Sequence, residues 1–122
     1  MTEFAPMEMT PDEEFDPALD AADFLMFEVR PLYLRGELDS TNLLKDFHSY
    51  LYAHQDLFFN IEDLVYAAMR LDHPRLARDL APHTATIMRE EMKFSVGWEK
   101  EELELRIEDV ETVGEQLRLR FN

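Results

Sequence analysis

The apolar spacing between residues 43 and 54 is the tightest constraint on what this chain can fold into. Leu43, Leu44, Phe47, Tyr50, Leu51 and His54 recur at steps of three and four, which gathers them on one side of a helix with 3.6 residues per turn. Asp39 or Ser40 is placed to cap its start. A second helix follows from Asn60, with Glu62 and Asp63 in the first turn, where carboxylates favour the positive end of the helix dipole. Ile61, Leu64, Val65, Ala68 and Leu71 line its buried side. Pro74 and Pro82 each read as the first residue of a short helix, a position where a missing N–H costs nothing. The second of these runs through Ile87, Met88 and Met92.

Upstream, Asp16 and Pro17 form the same kind of start, and Gly36 after Arg35 supplies a left-handed stop. Pro31 falls inside this segment and would interrupt a helix, so a short strand over residues 24–29 is the alternative.

The period changes at the end of the chain. Leu103, Leu105 and Ile107 alternate with Glu104 and Arg106, and Leu117, Leu119 and Phe121 alternate with Arg118 and Arg120. Alternation of this kind predicts a β-hairpin over residues 103–121. A helical series through Leu103, Ile107, Val110, Gly114, Leu117 and Phe121 competes with it. Gly114 in the middle of that series favours the strands, whereas the abundance of Glu favours the helix. The expected fold is therefore α+β, a bundle of three to five helices followed by a C-terminal antiparallel hairpin. A chain of 122 residues suits one core. Residues 16–122 are assigned to that domain and residues 1–15 to a flexible acidic arm.

Charge narrows the function. The net charge is −15, and residues 1–29 carry nine acidic side chains and no basic one. Such a surface repels phosphate backbones and anionic membranes, so direct nucleic-acid and membrane binding are not expected. An acidic N-terminus also lacks the positive start of a secretory signal, and a cytoplasmic protein is expected. With no Cys, disulfides, thiolate metal sites and cysteine nucleophiles are excluded.

No chemistry-bearing constellation emerges. Gly36, Gly97 and Gly114 lie too far apart for a phosphate-cradling loop. His48 and His54 stand about 120° apart round a helix, and no H-E-x-x-H motif accompanies them. We therefore expect no catalytic residue, metal ligand or cofactor. Candidate binding residues fall in three groups: an aromatic cluster of Tyr50, Tyr52, Leu57, Phe58 and Phe59; a basic stretch of Arg70, Arg75 and Arg78 that continues to Arg89; and Glu13, Glu14 and Phe15 of the arm, which the basic stretch could receive. The expected function is a non-enzymatic protein-binding module, an inhibitor, immunity-type protein, adaptor or chaperone, that engages a basic surface on a protein partner. One alternative is a small metal-dependent hydrolase using His48, His54 or His73 with nearby carboxylates. Another is a homodimer joined through hairpins or residues 57–59.

Overall fold

The structure, a computed structural model, describes residues 17–54 and 59–122. Of these, 81% are helical and none is in a strand. The first helical rod runs over residues 17–34 in three parts: α1 (Pro17–Phe24), a π-helical turn (Leu25–Val29) and α2 (Arg30–Leu34). Then come α3 (Ser40–Ala53), α4 (Asp63–Arg70), α5 (Pro74–Met92) and α6 (Gly97–Arg120). The most extensive packing is between α5 and α6; α4 lies against α5 and α1, and α3 leans on α5.

Pro31 explains the π turn. Proline has no N–H to return to the carbonyl four residues back, and the chain widens its hydrogen bonding just before it, with Arg30 N–H donating to the Leu25 carbonyl. The helix therefore continues through residues 24–29, where the strand was the alternative. Its end follows the glycine signal. Gly36 adopts φ 74°, its N–H donates to the Tyr33 carbonyl, and Glu37 N–H donates to the Leu32 carbonyl. This pair of bonds satisfies carbonyls that the last turn would leave open.

Asp39 caps α3, accepting a 2.7 Å hydrogen bond from Asn42 N–H. At α4 the cap is mutual in position but reversed in direction, since Asp63 inside the helix accepts from Asn60 N–H at 2.9 Å. Pro74 begins α5 as expected, but Pro82 does not begin a separate helix. It sits inside α5 on its exposed side, where water can satisfy the carbonyl that its missing N–H leaves open.

The hairpin is overturned. Residues 103–121 are helical through Arg120, so the α+β assignment gives way to a mostly helical fold. The competing series is the one realised: Leu103, Ile107, Val110 and Leu117 are buried, while Leu105 and Leu119 point outward. Alternation in this stretch records two outward leucines among inward ones, and eight Glu or Asp residues on α6 supply polar positions as well in a helix as in a strand.

Gly114 has a packing reason. A Cβ built there would stand 2.7 Å from the Ala81 Cβ, so glycine lets α6 approach the small-residue side of α5 formed by Ala77, Ala81 and Ala85. Gly114→Ala gains about 1 kcal/mol of helix propensity but overpacks a rigid contact at a cost of roughly 1–3 kcal/mol. A net loss of about 1 kcal/mol is expected, measurable as a lower urea midpoint. An unchanged or raised midpoint would show that the two helices are free to part.

Candidate protein-binding surface

The aromatic cluster divides. Phe59 is 3% exposed and stacks into the core with its ring 5.9 Å from Phe24 and 5.5 Å from Phe47. Tyr50 is half-buried, edge-on to Phe24 at 4.9 Å and stacked on His54 at 4.3 Å. Tyr52, on the other side of α3, is 79% exposed. Leu57 and Phe58 lie outside the described residues, as do Glu13, Glu14 and Phe15. Of this group, the structure leaves Tyr52 outward and uses Tyr50 and Phe59 as core anchors.

The basic stretch also divides. Arg78 is tied to Asp79 at 2.9 Å and donates to the Phe121 carbonyl, which fastens the end of α6 to α5. Arg89 pairs with Glu111, and Arg118 with Glu115. These guanidinium groups border an open groove of about 350 Å³ beside Gly114, yet each is already neutralised by a carboxylate. Arg70 is exposed at the end of α4. Arg75 is exposed beside Arg30, Tyr33, Leu34 and His73, which together line a second shallow groove. The basic residues therefore do not form one continuous patch.

A different surface emerges on α6. Trp98, Leu105 and Leu119 are 71%, 63% and 74% exposed, and with exposed Thr112 they repeat every seven residues. At 1.5 Å per residue they stand about 10.5 Å apart along the axis. A helix drifts about 20° per heptad, so the four share one outward face. Glu101 and Glu108 flank the upper part of this stripe on one side, and Glu102 and Asp109 on the other. All four are exposed. Among the described residues none of the four takes part in a salt bridge, in contrast to Glu111 and Glu115 nearer the α5 side. Phe94 and Val96, both exposed, precede Trp98 in the connection between α5 and α6, so the apolar surface extends over that end of the helix pair.

Glu62 and Arg106 hold this face in place. Glu62 opens α4, its side chain is 8% exposed, and its two oxygens accept from Arg106 Nε at 2.6 Å and a terminal nitrogen at 3.0 Å. These hydrogen bonds hold the Arg106 guanidinium above its ordinary range, against the opposing effect of burial. Next to it, burial pushes the Asp63 carboxyl up, and the Asn60 N–H draws it partly back. The fork-shaped pair fixes the rotation of α6 about its own axis, because Arg106 can meet Glu62 in only one orientation. With Arg106 turned toward α4, its chain neighbour Leu105 is directed outward.

The histidines are dispersed. His54 stacks on Tyr50, His83 Nδ1 lies 3.1 Å from Ser40 Oγ, and His73 immediately precedes α5. Among the described residues no group of three His, Asp or Glu side chains is gathered where it could hold a metal ion, and no helix is long and apolar enough to cross a membrane. Comparison with known protein families, curated proteins and solved structures finds no match to this chain.

Proposed function

We propose that this chain is a non-enzymatic protein-binding module, of the kind an inhibitor, adaptor or chaperone provides, and that it engages a basic surface on a protein partner. The observation that carries this reading is the outward face of α6, where Glu101, Glu102, Glu108 and Asp109 stand exposed around Trp98 and Leu105 and form no salt bridge among the described residues. Acidic groups already closed into ion pairs offer little to a partner, whereas open ones steer a cationic surface and fix its register. An exposed aromatic side chain adds contact area and a face for a cation. The overall charge of −15 strengthens the long-range part of this attraction.

Affinity purification of the full chain at about 50 mM salt, followed by identification of the recovered protein, supplies the test. The partner should present a basic surface, and its affinity should fall at least about tenfold by 0.5 M salt, where the Debye length is well below 10 Å. Equal affinity at both salt concentrations contradicts the electrostatic reading.

A further inference from the structure

Resting on that reading, we propose that the α6 face formed by Trp98, Leu105, Thr112 and Leu119 docks one α-helix, whose aliphatic residues repeat every seven positions and are flanked by Lys or Arg. The spacing argues for a helix. Trp98, Leu105 and Leu119, with the small Thr112 between them, hold a seven-residue interval, and side chains at that interval keep facing a second helix that winds round the first with a left-handed supercoil. An extended strand, with its two-residue period, would match this stripe at no regular interval.

Charge selects the partner's chemistry and its direction. Glu101, Glu102, Glu108 and Asp109 occupy both flanks of the upper stripe, whereas the lower flanks carry Glu115, already paired with Arg118, and the neutral Gln116. The partner helix is therefore basic where it passes Leu105 and needs less charge where it passes Leu119. A second copy of this chain fits poorly. In the antiparallel arrangement that aligns Trp98 with Leu119 and Leu105 with Thr112, Glu108 of each copy meets Asp109 of the other, bringing four carboxylates together at the two-fold axis. A parallel arrangement sets every acid beside its own equivalent.

Trp98 is the single tryptophan of the chain, so its fluorescence reports docking directly. The experiment titrates the full chain with a synthetic helical peptide of about four heptads, Leu at the repeating positions and Lys on the flanks. A peptide with Glu in place of Lys serves as control. The Lys peptide should shift Trp98 emission to the blue and bind at least tenfold more weakly to Leu105→Asp and to Leu119→Asp, both exposed positions whose variants keep the native helical signal. The Glu peptide should not bind. Equal binding to native chain and both variants overturns this docking face while leaving the broader electrostatic reading intact. Absence of binding by the Lys peptide, or sedimentation as a dimer that Leu105→Asp converts to monomer, overturns it as well. Loss of salt dependence toward the purified partner is the separate result that removes the broader reading.

Discussion

Phe24→Ala is expected to destabilise the protein by about 4 kcal/mol, the middle of the range for emptying a buried aromatic site. Phe24 has no exposed surface, and three aromatic rings converge on it, those of Phe47, Tyr50 and Phe59. The π turn begins one residue later, so the backbone around the cavity is already committed to an unusual hydrogen-bond pattern and has little freedom to collapse. Tyr52→Ala, by contrast, should shift stability by less than about 0.5 kcal/mol, as for other exposed sites. Urea denaturation of both variants checks the division of the aromatic cluster. A small loss for Phe24→Ala, or a large one for Tyr52→Ala, would place the core elsewhere.

Arg106→Met is the second large effect, a loss of about 3 kcal/mol. The lower end of the range for breaking a buried ion pair applies because the Arg106 side chain is about a third exposed, whereas Glu62 is nearly enclosed. The variant leaves the Glu62 carboxylate without the two donors that compensate its removal from water. Replacing Glu62 by Leu in the same chain should return most of the loss, since a buried pair exchanged for apolar side chains of similar size is often close to neutral. A double variant as unstable as the single one would show that Arg106 acts through packing of its stem rather than through Glu62. The pair also bears on binding, because it sets which side of α6 faces outward.

Much of the helical frame was legible in the residues themselves. Asp39, Pro74 and Gly36 act locally, through a side-chain acceptor, a preset φ and a left-handed stop, and local signals of this kind survive whatever the rest of the chain does. The last 24-residue helix was not read correctly, because Leu105 and Leu119 were counted as core. An apolar residue announces its preference for burial but not whether a neighbour is available to bury it. Once those two leucines are taken as outward, the interval from Trp98 through Leu105 and Thr112 to Leu119 is visible in the sequence, and so are its acidic flanks. Pro82 misled for a related reason, since proline inside an exposed helical side is costly yet tolerable. The Glu62–Arg106 pair spans 44 positions, and no spacing rule connects residues so far apart. The bond from Arg78 to the Phe121 carbonyl, 43 positions away, is hidden from the sequence for the same reason.

The most direct test of the account is the affinity of the purified basic partner for a chain carrying Glu101→Gln, Glu102→Gln, Glu108→Gln and Asp109→Asn, measured beside the native chain from low to high salt. The account predicts a variant that keeps its helical content, binds at least tenfold more weakly at low salt, and converges with the native chain at high salt, where exposed charges are screened. Equal affinity of variant and native chain at low salt would contradict it.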